Sequence, residues 1–301
     1  MFQSEFQKWL EEEGKSPRTI QAYIQVVDHL ADWFQESNGE AFDPQETSAY
    51  DLQRFIQSLM KRQGQATINK KIASLKTYWK FLLETKRVHT DPTRKLKMKS
   101  LASSQLAPKW LTPRERSKFL DYLESSTIEK NEWKRLRNIA MGQLMLQAGL
   151  RVSEVANLDL DDLISLDKPR ERKVLIRYSK HGRSREIPIN FDIAKALQAW
   201  LKVRGKAKDG DPAVFLSERK TRISDRAIQK AMEKVFKAAN LAYSCHSLRH
   251  TAAKLWVDHK GIEVAQRLLG HENVQTTLRY TTPSERDLRK AVEATSSEID
   301  Y

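Results

Sequence analysis

The chain has 301 residues, of which 40% are hydrophobic and 31% charged, and it carries a formal net charge of +14 at pH 7. Ten glycines and nine prolines are too few for a collagen-like or Gly/Pro-rich disordered protein, and the length suits two domains better than one core. The basic excess favours a polyanionic partner, most simply nucleic acid.

The pattern over residues 1–87 predicts a first domain of four helices. Ser16 and Pro17 are an N-cap and a proline at the first helical position, which together open the second helix. Helical spacing of apolar residues supports each helix. These residues are Phe2, Phe6 and Leu10; Ile20, Ile24, Val27 and Leu30; Leu52, Phe55, Ile56 and Leu59; and Ile68, Ile72, Leu75 and Trp79.

Two basic stretches at the end of this domain are candidates for DNA contact. The fourth helix, over about residues 66–84, carries Lys70, Lys71 and Lys76 away from its apolar face, and such a face can lie against phosphates. Residues 88–109 follow as a predicted interdomain linker, extended and basic, with Arg94, Lys95, Lys97 and Lys99. An ordinary solvated face and a solvated linker stay open as alternatives. Residues 1–90 carry twelve basic and twelve acidic side chains, so the surplus charge lies beyond them.

Residues 110–301 predict a second domain that is mainly helical with a small sheet. A capping box at Thr112 opens its first helix, and helices are predicted at about 112–125, 131–148, 190–203, 224–239, 246–258 and 262–269. Between the second and third of these the apolar period changes to two, with a turn near Lys180, which predicts a β-hairpin over residues 173–188. The fold class is therefore mainly α with a small β-hairpin or sheet.

Four separated segments of this domain concentrate groups suited to phosphate chemistry. They are Gly-Leu-Arg at 149–151, Lys180 at the predicted hairpin tip, His-Ser-Leu-Arg-His at 246–250, and Leu-Gly-His at 269–271, with Tyr280 nine residues after His271. Each segment alone is a weak signal, because a lone arginine is usually a surface residue and a lone histidine is usually structural. Their combination and order are specific.

In these segments the chain resembles the tyrosine recombinase (lambda-integrase-like) family, in particular its short Xer-type, phage and transposon members. The resemblance covers nearly the whole chain and implies an N-terminal core-binding domain followed by a catalytic domain. It implies a site-specific recombinase that cleaves and rejoins duplex DNA through a 3′-phosphotyrosine, with no need for ATP or a metal. The catalytic residues that it implies are Arg151, Lys180, His246, Arg249, His271 and Tyr280.

The chemistry explains why these residue types are needed. Two guanidiniums, from Arg151 and Arg249, can grip the non-bridging oxygens of an anionic phosphodiester and stay charged. Tyr280 would be the nucleophile, and His246 the candidate to take the phenol proton, since a free phenol has a pKa near 10. Lys180 would protonate the leaving 5′ oxygen, and His271 would hydrogen-bond a phosphate oxygen.

Some features leave other interpretations open. The turn around Lys180 has His181 where the family more often has glycine. Lys173 is a much less favoured alternative to Lys180 as the catalytic lysine. His246 and His250 have a spacing that could hold zinc beside Cys245, but the accompanying glutamate of that motif is missing, so no metal site is predicted. We expect His250 to pack inside the site and orient Arg249, and we expect Glu154 to cap or pair locally.

The resemblance also bears on assembly and location. A helix predicted over about residues 283–295 would dock into a neighbouring protomer, or else within its own chain, and joining four strand ends implies a homotetramer on two DNA sites. An accessory or heteromeric recombinase partner is possible. One cysteine, Cys245, and no stretch long enough to span a bilayer predict a cytoplasmic protein with no membrane contact. The alternatives are a type IB topoisomerase-like swivelase and a non-catalytic DNA-binding protein on the same scaffold.

Overall fold

A computed structural model describes residues 2–100, 109–177, 184–271, 273–281, 289, 292 and 293. The chain forms two compact units, Met1–Leu106 and Ala107–Tyr301. Each unit has a hydrophobic core of its own. The predicted fold class is confirmed, since helices dominate both units and a small antiparallel sheet lies in the second.

The first unit contains the four predicted helices. Their bounds are Gln3–Glu12 (α1), Pro17–Asn38 (α2), Ala49–Met60 (α3) and Gln65–Glu84 (α4). Ser16 caps α2 as expected, because its hydroxyl accepts the backbone N–H of Thr19 at 3.2 Å. The large aromatic side chains of α4, Tyr78 and Trp79, are fully buried in the core between the helices.

The beginning of the basic segment differs from the extended chain that the sequence predicted. Pro92–Lys95 forms a 3₁₀ turn that packs against α3 and α4. Asp91 caps this turn, and Val88 and Leu96 on either side are buried in the core of the first unit. The two apolar side chains explain the difference, because their burial folds the chain back onto the helices.

The second unit is built around one central helix. Its helices are Pro113–Glu124 (α5), Glu132–Gln147 (α6), Val152–Ala156 (α7), Phe191–Arg204 (α8), Asp225–Ala238 (α9), Cys245–Lys260 (α10), Ile262–Leu269 (α11) and Gln275–Leu278 (α12). The central helix is α6, which packs against α5, α8, α9 and α10. The predicted capping box is present, since Thr112 and Glu115 exchange side-chain to backbone hydrogen bonds at the start of α5.

The sheet has three antiparallel strands in the order β1-β2-β3. They are Leu163–Ile164 (β1), Lys173–Ile176 (β2) and Arg185–Pro188 (β3). The strands β2 and β3 form the predicted hairpin, with Val174 opposite Ile187 and both side chains in the core. The short strand β1 and the short helix α12 were not predicted, since two to four residues are too few for a periodic signal.

Two predicted features lie outside the described residues. These are the turn of the hairpin with Lys180, and the helix at 283–295 apart from residues 289, 292 and 293. Within the described part of the chain, no helix is long and apolar enough to cross a membrane.

Candidate active site

Arg151 lies where α6 ends and α7 begins. Gly149 makes the turn between them with φ of +63°, and a Cβ there would lie 2.9 Å from the Trp256 ring, so only glycine fits. The Arg151 backbone N–H donates to Glu154 Oε2 at 2.8 Å, and Arg151 Nη1 donates to Glu154 Oε1 at 2.7 Å. The local pairing expected of Glu154 is therefore present, and it orients the Arg151 guanidinium.

Arg249 is buried on α10 and joins two turns of the chain. Its Nη1 donates to Gly149 O at 2.5 Å, and its Nη2 donates to Leu269 O at 2.7 Å. The same Nη2 lies 3.3 Å from His271 Nε2, and Nη1 lies 3.7 Å from Glu154 Oε2. Burial, together with the nearby Arg151, lowers the pKa of Arg249 to about 9, which leaves the guanidinium charged at neutral pH. The predicted pair of arginines thus meets around one carboxylate.

Arg185, which the sequence did not single out, completes this cluster. It holds Glu154 in a bidentate pair at 3.0 and 2.9 Å, and its Nε donates to Leu268 O at 3.2 Å. Burial alone would raise the pKa of Glu154, but hydrogen bonds and charge from Arg185, together with Arg249, keep that pKa below its ordinary value. The buried carboxylate is therefore ionised and holds three guanidiniums in place.

His271 follows the left-handed Gly270 at the end of α11. Its Nε2 faces the Arg249 guanidinium, and its Nδ1 lies 2.9 Å from the hydroxyl of the buried Thr277. Burial, and then the charges of Arg249 and its neighbours, lower the pKa of His271 to about 4, so the ring is neutral. Since Arg249 can only donate, Nε2 accepts here and Nδ1 carries the proton toward Thr277.

Tyr280 is 3% exposed, and its hydroxyl meets His250. The distance between Tyr280 Oη and His250 Nδ1 is 2.5 Å. Burial raises the pKa of Tyr280, while the positive charges of nearby arginines act in the opposite direction. The apolar side chains around the ring are Trp110, Ala253, Trp256, Val257 and Leu269.

His246 occupies a different position from the one expected of a proton partner. His246 is an exposed residue, and its ring contacts the His250 ring edge-on, with centroids 4.3 Å apart. Desolvation of the His246 ring by the residues around it, followed by the charges of Arg249 and Arg151, lowers the pKa of His246. His250 therefore contacts both the His246 ring and the Tyr280 phenol, although we expected it to orient Arg249. Both histidines lie on one face of α10 because of their i, i+4 spacing, and that spacing was the only sequence signal for this contact.

Of the two lysines that are candidates for acid catalysis, the structure describes Lys173. Lys180 lies outside the described residues. Lys173, the alternative to Lys180, pairs with Glu186 between strands β2 and β3 at 2.8 Å, which gives it a role in the sheet.

Cys245 begins α10 as a buried thiol, and burial raises its pKa to about 12. Over the residues that the structure describes, no three His, Cys, Asp or Glu side chains are grouped so as to hold a metal ion.

The basic candidates of the first unit separate into two groups. Lys71 is half-buried and lies 2.8 Å from His29 Nδ1, with its pKa lowered by burial. Lys70 is exposed and Lys76 half-buried on the same helix. The candidates of the basic segment are all exposed, namely Arg94, Lys95, Lys97 and Lys99.

Asn69 joins the basic segment to α4. Its Nδ2 donates to Lys99 O at 2.8 Å, and its Oδ1 accepts the Lys99 N–H at 3.2 Å. This two-point contact brings the backbone at Lys99 beside the helix turn that carries Lys70. The two basic stretches therefore come together at Asn69 and Lys99, which lie 30 residues apart in sequence.

Comparison with known proteins places both units in described families. Residues 109–286 match the phage integrase family, and residues 4–86 match the N-terminal SAM-like domain of phage integrases. Tyrosine recombinase XerA of Pyrococcus horikoshii is 31% identical over 294 residues, which cover 96% of this chain and 91% of that protein. Tyrosine recombinase XerC of Caldanaerobacter subterraneus subsp. tengcongensis is 36% identical over 74% of this chain, and the match spans 61% of that relative's length. The crystal structure of a lambda integrase dimer bound to a COC′ core site has the same fold, with a TM-score of 0.73 at 18% identity, covering 94% of this chain and 95% of that one.

Proposed function

This chain belongs to the phage integrase family and is a tyrosine recombinase, an enzyme of site-specific recombination, and on that premise we propose that it cleaves and rejoins duplex DNA through a 3′-phosphotyrosine on Tyr280. The observation that carries the proposal is the meeting of Arg151 and Arg249 at the buried Glu154 carboxylate, with His271 in contact with Arg249. Such a cluster binds an anion with groups already oriented.

The two guanidiniums neutralise the scissile phosphate in this proposal. Arg151 and Arg249 contact its non-bridging oxygens, and Glu154 fixes both side chains so that little reorganisation accompanies the reaction. His271 contacts a phosphate oxygen once its Nε2 carries the proton. Thr277 allows this exchange, because its hydroxyl can donate to Nδ1 as readily as it accepts from it.

Strand exchange conserves the energy of the phosphodiester. Tyr280 Oη attacks phosphorus, the bond to the 5′ oxygen breaks, and the phosphotyrosine keeps the energy that a second 5′-hydroxyl uses to rejoin the strand. The reaction therefore calls for neither ATP nor a metal. Lys180 is the proposed acid for the departing 5′ oxygen, an assignment that rests on the family resemblance.

The first unit supplies DNA contacts in this proposal. Lys70 and Lys99 are the strongest candidates, because Asn69 holds the segment of Lys99 against α4. Arg94, Lys95 and Lys97 are further exposed candidates in the same segment as Lys99. Lys71 is better suited to a structural role, since it is half-buried against His29.

The assembly follows from the reaction. Recombination joins four strand ends, so we propose four copies of the chain on two DNA sites, with the segment at 283–295 as the exchanged helix. An accessory or heteromeric recombinase is compatible with this arrangement. We propose that the reaction takes place in the cytoplasm.

A nicked suicide substrate tests this function. It carries a nick near the cleavage point, so the freed fragment diffuses away and the covalent complex accumulates. We expect a protein–DNA adduct in denaturing gels and recombinant products from two intact target sites. Relaxation of plasmids that lack a target site, without recombinants, would instead indicate a topoisomerase-like swivelase. DNA binding without an adduct would indicate a non-catalytic protein.

A further inference from the structure

The Tyr280 hydroxyl has a close partner that the predicted set of catalytic residues does not include. His250 Nδ1 lies 2.5 Å from Tyr280 Oη, and the two rings are 5.5 Å apart between centroids. His250 is half-buried, and Tyr280 is 3% exposed. A buried hydroxyl with a hydrogen bond of this length has its orientation fixed by the partner.

We propose that His250, rather than His246, positions the Tyr280 hydroxyl and accepts its proton as the oxygen attacks phosphorus. This inference rests on the proposed function, because it assumes that Tyr280 is the nucleophile. The Tyr280 Oη–P bond forms, the P–O5′ bond breaks, the phenol proton moves to His250 Nδ1, and the acid assigned to Lys180 protonates the 5′ oxygen. Rejoining reverses each transfer, and His250 returns its proton to the released phenol.

The hydrogen bond has a defined direction in the DNA-free protein. Burial, with the positive groups nearby, lowers the pKa of His250 to about 3, so its ring is neutral at physiological pH. Burial also raises the pKa of Tyr280, so the phenol keeps its proton. The phenol therefore donates to Nδ1, and the ring proton is on Nε2. In this state the Tyr280 hydroxyl is held by a hydrogen bond but is not ionised.

Binding of a phosphodiester changes this balance in the required direction. The groups that face His250 from its own helix and from the segments packed against it are His246, Arg249, His271, Arg279 and Tyr280. The arginine charges disfavour a proton on His250, and a phosphate anion bound beside them offsets those charges. His250 thus becomes a stronger base when the substrate is bound, which couples ionisation of the nucleophile to DNA binding.

The position of His246 supports this division of roles. Its ring contacts the His250 ring edge-on, and the residue is exposed while lying close enough to Arg249 and Arg151 for their charge to lower its pKa. It is therefore better placed to meet the bound phosphate than the phenol.

Two substitutions at position 250 separate positioning from proton transfer. His250→Asn keeps an acceptor near the Nδ1 position but cannot take a proton at neutral pH, whereas His250→Phe keeps a ring without an acceptor. The matched control is His259→Asn, on the exposed end of the same helix. Single-turnover adduct formation on the nicked substrate is measured from about pH 6 to about pH 10, which spans the ordinary pKa values of histidine and tyrosine.

We expect His250→Asn to form the adduct about 100-fold more slowly than the wild type at neutral pH, with His250→Phe slower still and His259→Asn unchanged. Without a base the rate depends on phenolate already present, so it should rise about tenfold per pH unit and approach the wild-type rate in alkali. A loss of equal size at every pH, or a wild-type rate in His250→Asn, would overturn the inference.

A measurement on the wild-type protein does not depend on how the variants fold. Nitrogen-15 spectra of its histidine side chains should show His250 as the neutral tautomer with Nδ1 unprotonated, and that signal should shift in Tyr280→Phe. Titration of His250 near the ordinary histidine pKa, or a proton on Nδ1, would contradict the inference. Adduct formation by Tyr280→Phe would instead overturn the proposed function. If Tyr280→Phe forms no adduct but His250→Asn forms it at the wild-type rate, the proposed function stands and only the role of His250 is refuted.

Discussion

Arg185 lies directly over Gly270, so that a Cβ added at Gly270 would come within 2.9 Å of Arg185 Cδ. This contact joins strand β3 to the turn that presents His271. The same arginine holds Glu154 with both terminal nitrogens. One side chain therefore sets the spacing between the carboxylate cluster and the Leu-Gly-His segment.

Gly270→Ala tests that contact. The left-handed backbone costs a non-glycine residue roughly 1–2 kcal/mol, and displacement of Arg185 adds to it. Gly210→Ala is the matched control, since Gly210 has φ of +70° in the same unit with nothing within 4 Å of its added Cβ. We expect urea denaturation to show a larger loss for Gly270→Ala, together with slower adduct formation that the control does not share. Equal losses of stability in the two variants would show that Arg185 moves away from the added methyl group without cost.

Arg185→Gln tests the support of the buried carboxylate. Loss of one partner of a buried ion pair costs about 3–5 kcal/mol, so the free energy of unfolding should fall by several kcal/mol. Adduct formation should fall further than DNA affinity, because Arg151 and Arg249 lose their alignment. Arg170→Gln, on the exposed surface before β2, is the control. Normal stability and cleavage in Arg185→Gln would refute a supporting role.

The ionised Glu154 gives stability a defined pH dependence. The pKa of Glu154 in the folded protein is below its ordinary value, so its contribution to stability is complete above that ordinary value and is lost as the pH falls through the lower folded value. The free energy of unfolding of the wild type should fall steeply in acid. Glu154→Gln should be less stable than the wild type at neutral pH, and its stability should depend less on pH. Glu12→Gln, at an exposed position, should follow the wild-type curve. Parallel curves for the wild type and Glu154→Gln would contradict the assignment.

The basic surface of the first unit predicts a salt-dependent effect. Lys70→Ala should weaken DNA binding, and the slope of log affinity against log salt should fall by about 0.9 if one phosphate contact is lost. Asn69→Ala should also weaken binding, since it releases the backbone at Lys99. Lys8→Ala, on the exposed face of α1, is the control. An unchanged slope in Lys70→Ala would remove this surface from the DNA contacts.

The fold was largely predictable because its signals are local. Ser16 and Thr112 cap helices as their neighbours in sequence require, and the alternation around Val174 and Ile187 predicts the hairpin. The course of residues 88–99 was not predicted, because burial of Val88 and Leu96 depends on a core that only the folded unit provides.

The candidate site was predictable only as far as its motifs extend. The sequence identified Arg151, Arg249 and His271, which meet in the structure. It did not identify Arg185, whose importance depends on a strand crossing a glycine turn more than 80 residues away in the chain. The helical spacing placed His246 and His250 on one face, but which of them meets Tyr280 depends on how the segment after α11 packs.

The most direct test of the proposed function is the identity of the residue joined to DNA. The wild type and Tyr280→Phe are incubated with the nicked substrate, and the trapped adduct is digested and analysed by mass spectrometry. We predict a 3′-phosphotyrosine on the peptide that contains Tyr280, and no adduct from Tyr280→Phe although it still binds the substrate. An adduct on another residue, or one that persists in Tyr280→Phe, would contradict the assignment of the nucleophile.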